Sequence, residues 1–91
     1  MENFRVIIVE DVPLELKGTE GIFRNEIPEA EIIGTAESEV AYWKLIKQNL
    51  PDLVLLDLGL GGSTTVGVEI CRQTKQTYPH VKVLIFTGEI L

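Results

Sequence analysis

Three short apolar runs punctuate the chain: Val6-Ile7-Ile8-Val9, Leu53-Val54-Leu55-Leu56 and Val83-Leu84-Ile85-Phe86. Each lacks the alternation of a half-exposed strand, and an unbroken run of this length predicts a strand covered on both faces. A weaker run, Glu31-Ile32-Ile33-Gly34-Thr35-Ala36, suits a strand nearer the sheet edge. Segments of helical length lie between the runs. Pro13 to Glu26 predicts a helix that opens on proline, where the missing N–H costs nothing. Gly18 and Gly21 weaken it, so Leu16, Ile22 and Phe23 are expected to hold it by packing. Ser38 is a good N-cap for a second helix through Asn49, with Tyr42, Leu45 and Ile46 on one face. A third is expected from Val66 to Tyr78, with Ile70, Cys71 and Thr74 inward, stopped by Pro79-His80.

The resulting order, β-α-β-α-β-α-β with short links, predicts an α/β fold: a doubly wound parallel sheet with helices on both faces. Composition fits one small globular domain over residues 1–91, at 45% hydrophobic and 24% charged. Fourteen acids against eight bases leave a formal charge of −6, which argues against this segment gripping nucleic acid or an anionic membrane. No run approaches the ~18 apolar residues that span a bilayer. The single cysteine, Cys71, has no partner for an internal disulfide, so a reducing cytoplasm is the expected setting.

Ligands of an open parallel sheet bind beyond the carboxyl ends of the strands. Glu10 and Asp11 follow the first run, Asp57 follows the third, and Thr87 and Gly88 follow the fourth. Alone, an acidic pair after a strand is an ordinary solvated turn, and a lone aspartate is an ordinary helix N-cap. Three carboxylates gathered at one sheet edge repel one another, and a hard cation such as Mg²⁺ relieves the repulsion. Such a site suits phosphoryl transfer, with an aspartate as nucleophile. The glycines from Gly59 to Gly67 invite a nucleotide-loop reading, but they lack the third glycine of a dinucleotide fingerprint and any Gly-Lys-Ser/Thr. His80 has no second ligand to share a metal. Tyr42 and Trp43 read as packing groups.

The stretches Val9-Glu10-Asp11, Pro51-Asp52-Leu53-Val54-Leu55-Leu56-Asp57 and Phe86-Thr87-Gly88 closely resemble the response-regulator receiver family of two-component signalling. Together they span nearly the whole chain. Val9-Glu10-Asp11-Val12-Pro13-Leu14 and Pro79-His80-Val81-Lys82-Val83 look most like receivers joined to helix-turn-helix DNA-binding domains. The resemblance implies a flavodoxin-like fold and a phosphoacceptor switch, not an enzyme in the usual sense. It makes Asp57 the acceptor, Thr87 the switch hydroxyl, and Glu10, Asp11, Asp57 and the Gly59 carbonyl the Mg²⁺ ligands. The implied partners are a histidine kinase or phosphotransfer protein, with DNA reached only through an output domain outside this chain, and no membrane.

Three departures from the family pattern stand out. The loop from Gly59 to Gly67 lacks the usual proline and carries extra glycine, and Glu10 replaces the commoner aspartate. The family's catalytic lysine lies on a fifth strand that these residues do not contain, and Lys82 is no substitute. The domain is accordingly expected to be incomplete at its C-terminus, lacking a last strand and flanking helices. It is also expected to self-associate, as a homodimer, through the outer edge of Val81 to Phe86. Two other readings stay open: a degenerate receiver acting as a phosphorylation-independent interaction module, and a phosphohydrolase of another α/β family using Asp57. The last normally wants a second aspartate where Gly59 stands.

Overall fold

The computed structural model describes residues 2–62 and 64–86. Thr87 and Gly88, expected to follow the fourth strand, lie outside the described residues. Strand β1 (Phe4–Val9) leads to helix α1 (Pro13–Glu26), β2 (Ala30–Ala36), α2 (Glu39–Gln48), β3 (Leu53–Asp57), a single 3-10 turn at Leu60–Gly62, α3 (Thr64–Thr77) and β4 (Lys82–Phe86). The four strands form one parallel sheet in the order β2-β1-β3-β4. The weaker run does occupy an edge.

Alternation along the strands builds two cores, one on each face of the sheet. Ile7, Val9, Val54 and Leu56 point to one side and pack with Tyr42 and Ile46 of α2, Ile70 of α3, and Val81. Val6, Ile8 and Leu55 point to the other side and meet Leu16 and Phe23 of α1. All four residues from Val6 to Val9 are fully buried, as an unbroken apolar run in a central strand should be. The resulting arrangement is a three-layer α/β sandwich, with α1 on one face and α2 and α3 on the other.

Helix α1 keeps both expected boundaries, with Val12 as its N-cap and Pro13 inside the first turn. Its packing differs in one place, since Ile22 is 59% exposed. Leu16 and Phe23 lie two turns apart on one stripe, whereas Ile22 is rotated about 100° from Phe23 and faces away. At α2, the Ser38 hydroxyl accepts a hydrogen bond from the Ala41 N–H at 3.2 Å, which caps the helix. The Tyr42 and Thr74 hydroxyls meet at 2.7 Å in the core and join α2 to α3. Helix α3 starts at Thr64, two residues before the expected Val66.

Strand β4 departs from what its apolar run alone predicts, and among the described residues it has the unpaired outer edge expected of Val81 to Phe86. Leu84 and Ile85 are 55% and 41% exposed, so the run is not covered on both faces. The reason is positional: among the described residues β4 stands at the sheet's edge, and only β3 pairs with it. An apolar run reports strand character but not the neighbours that cover it.

Candidate functional site

Strands β1 and β3 are neighbours, with Val9 opposite Leu56, so the residues that follow them emerge side by side at the carboxyl edge. The Glu10 N–H donates to the Ala36 carbonyl at 3.0 Å, extending the sheet contact by one residue and fixing the start of the acidic pair. Glu10, Asp11 and Asp57 each present a carboxylate oxygen, and these oxygens lie within 4.8 Å of one another. The three sequence-predicted carboxylates therefore converge.

Their environments are unequal. Glu10 has no exposed surface, Asp57 is 6% exposed, and Asp11 is half-buried. Backbone amides take up one oxygen of each. Val12 N–H donates to Glu10 Oε1 at 2.9 Å, Gly59 N–H to Asp57 Oδ1 at 3.0 Å, and Gly61 N–H to Asp11 Oδ2 at 3.1 Å. Glu10 Oε2 is buried without a hydrogen-bond partner among the described residues. Burial pushes the Glu10 carboxyl up from 4.5 to about 7. The Val12 amide opposes this, while the neighbouring negative charges of Asp57 and Glu15 add to it.

No lysine or arginine pairs with these carboxylates among the described residues; the two ion pairs, Arg24 with Glu20 and Arg72 with Glu69, are internal to α1 and α3. Lys82 stands at the far end of β4, opposite Leu53, while Asp57 is level with Phe86. A buried oxygen lacking a donor, within a cluster of three carboxylates and no fixed cation, is the donor set of a hard divalent metal. The residues present fit Mg²⁺.

The loop after β3 completes the geometry. Gly61 and Gly62 adopt left-handed conformations at φ 71° and 77°, and the Gly62 N–H donates to the Gly59 carbonyl at 2.9 Å. That carbonyl keeps a second lone pair. Gly67 lets α3 approach closely, because a Cβ there would sit 2.7 Å from the Leu58 carbonyl oxygen. The grips of Val12 and Gly61 on the carboxylates were not foreseen from sequence. The Gly61-Gly62 pair was the visible signal, since paired glycines mark a backbone that turns where side chains rarely follow.

Known proteins agree with this architecture. Residues 6–90 match the family described as the response regulator receiver domain. The transcriptional regulatory protein ComA of Bacillus subtilis is 29% identical over 92% of this chain and 39% of its own length. The transcriptional regulatory protein DegU of Brevibacillus brevis is 31% identical over 93% of this chain and 35% of its own. The chain thus spans well under half of these curated relatives. Among solved structures, the RcsB response regulator of Salmonella typhimurium superposes with a TM-score of 0.86 at 22% identity, covering 98% of this chain and 44% of that one. A LuxR-family two-component response regulator from Aurantimonas sp. gives 0.83 at 26% identity, covering 98% and 61%. With the fold, the acidic edge and the match over residues 6–90 in agreement, the chain belongs to the response regulator receiver domain family.

Proposed function

We propose that residues 1–91 belong to a phosphoacceptor switch in which Asp57 takes a phosphoryl group from a histidine kinase or phosphotransfer protein. The observation that carries this reading is the near-complete burial of Asp57 within 4.8 Å of Glu10 and Asp11, at the carboxyl edge of the sheet. One Asp57 carboxylate oxygen attacks phosphorus, the new P–O bond forms as the donor's P–N bond breaks, and the leaving imidazole takes up a proton. Glu10, Asp11, Asp57 and the Gly59 carbonyl would hold Mg²⁺, which when bound neutralises charge on the phosphoryl oxygens. The Gly59 N–H orients the Asp57 carboxylate through its bond to Oδ1. Thr87 is the hydroxyl that reads the product. The output is transcription, exerted through a DNA-binding domain outside this chain, in the cytoplasm, with a second copy of the protein as a further partner. Two features support this part: relatives that are transcriptional regulators, and the absence, among the described residues, of any helix long and apolar enough to cross a membrane.

Incubation with acetyl phosphate and Mg²⁺, followed by intact-mass analysis, tests the reading. The wild-type protein gains one phosphoryl group, Asp57→Asn gains none, and Thr87→Ala still labels. Labelling that persists in Asp57→Asn puts the acceptor elsewhere. A wild-type protein that binds its partners but never labels is instead an interaction module.

A further inference from the structure

We infer that the backbone amide of Gly61 is a positioning group for the metal site, holding Asp11 so that it offers a single oxygen and thereby favouring Mg²⁺ over Ca²⁺. The inference rests on the proposed metal-site reading and adds the selectivity of that site. Its starting point is the 3.1 Å bond from Gly61 N–H to Asp11 Oδ2, which joins groups 50 positions apart. Asp11 is half-buried on the link after β1, and no other hydrogen bond to its side chain is found among the described residues. This one amide therefore sets the carboxylate's rotation.

The amide is aimed by an uncommon backbone. Gly61 sits at φ 71°, and the turn is closed by Gly62 N–H on the Gly59 carbonyl at 2.9 Å. A Cβ at position 61 would meet nothing within 4 Å, so the constraint there is conformational and not one of space. Asparagine tolerates the left-handed region, whereas a β-branched residue does not. The chemistry of this loop can therefore be varied without crowding the site.

The consequence concerns how many oxygens the site can offer. Glu10 Oε1 is already held by Val12 N–H, and Asp11 Oδ2 by Gly61 N–H. Each bond fixes how its carboxylate is turned and occupies one lone pair of one oxygen, so the unbonded oxygen of each is the readier ligand. Mg²⁺ accepts that arrangement, taking one or two carboxylates singly and filling its octahedron with water. Ca²⁺ prefers more oxygens and often binds a carboxylate through both. Freeing Asp11 from Gly61 would let it rotate and present both oxygens, which costs Mg²⁺ its prepared ligand and suits Ca²⁺ better.

Calorimetric titration of the wild-type protein, Gly61→Asn and Gly61→Val with Mg²⁺ and with Ca²⁺ tests this, with circular dichroism as a check on folding. Removing an outer-shell partner of this kind typically weakens metal binding by about 10- to 100-fold. Gly61→Val should lose that much Mg²⁺ affinity and lose less for Ca²⁺, while Gly61→Asn keeps the wild-type ratio. Equal losses for both cations, or none, overturn the inference even if Asp57 still labels with acetyl phosphate. If the wild-type protein binds neither cation, the metal-site reading falls and this inference with it. Should the valine variant fail to fold, NMR hydrogen exchange at the wild-type Gly61 amide decides. Protection that persists at saturating Mg²⁺ supports the grip, and protection lost on Mg²⁺ binding refutes it.

Discussion

A carboxyl group with no exposed surface and one oxygen lacking a donor gives up its proton reluctantly, and Glu10 holds its proton until about pH 7. In the unfolded chain the same group ionises near its ordinary 4.5. Between these values the folded state binds the extra proton, so Glu10's contribution to stability is full below 4.5 and is lost as pH rises toward 7. Above that, the metal-free protein carries a buried, poorly compensated anion. Glu10→Gln should therefore be more stable than wild type at pH 8 without metal, by about 1–3 kcal/mol, with the gap closing toward pH 4.5. Added Mg²⁺ should narrow the gap at pH 8 by stabilising the wild type, and its affinity should fall as pH drops through 7. Urea melts at the two pH values decide this, and equal midpoints at pH 8 would count against it. The convergence of Glu10, Asp11 and Asp57 was legible from their positions after strands of a parallel sheet. The orphaned Glu10 oxygen and the grip of Gly61 on Asp11 were not, because a list of residue types does not say where backbone amides point.

Punctuation made the helices readable. Pro13 opens α1 and Ser38 caps α2, and each acts through a local effect that needs no tertiary partner. The 3-10 turn at Leu60–Gly62 was not foreseen, because two left-handed glycines can belong to several turn types. The apolar run alone did not predict the exposure of β4, because covering is a property of neighbours; the unpaired outer edge of Val81 to Phe86 was expected instead from the family resemblance. Glycines within helices separate two kinds of element. In α1, a Cβ at Gly18 meets nothing within 4 Å, so Gly18→Ala should raise stability by about 0.5–1 kcal/mol through helix propensity alone. In α3, a Cβ at Gly67 would press on the Leu58 carbonyl at 2.7 Å, and the clash involves backbone that cannot rotate away. Gly67→Ala should cost about 1–3 kcal/mol and shift the NMR signals of Leu58 and Asp57. Thermal melts of the two variants should move in opposite directions, and a stabilised Gly67→Ala would refute the close approach.

Among the described residues the two faces of the sheet are unequally covered. One face carries the larger apolar cluster, with α2 and α3 joined by the bond between Tyr42 and Thr74. The other is covered, among the described helices, by α1 alone, held through Leu16 and Phe23. Native proteins open piecewise, and the part with fewest buried contacts opens first. Deuterium uptake should accordingly be faster along α1 than along α3. Glu10 and Asp11 lie on the three-residue link that carries the chain from β1 into α1, so detaching the helix loosens two of the three carboxylates as it goes. A cation that binds only the closed arrangement must raise the free energy of that opening. Mass-spectrometric exchange with and without Mg²⁺ should show α1 slowing while α3 keeps its pace, and uniform slowing of both would count against this division. Helix α1 then serves as the clock of the site: the rate at which it exchanges its amide hydrogens tells how often the acidic edge lies empty.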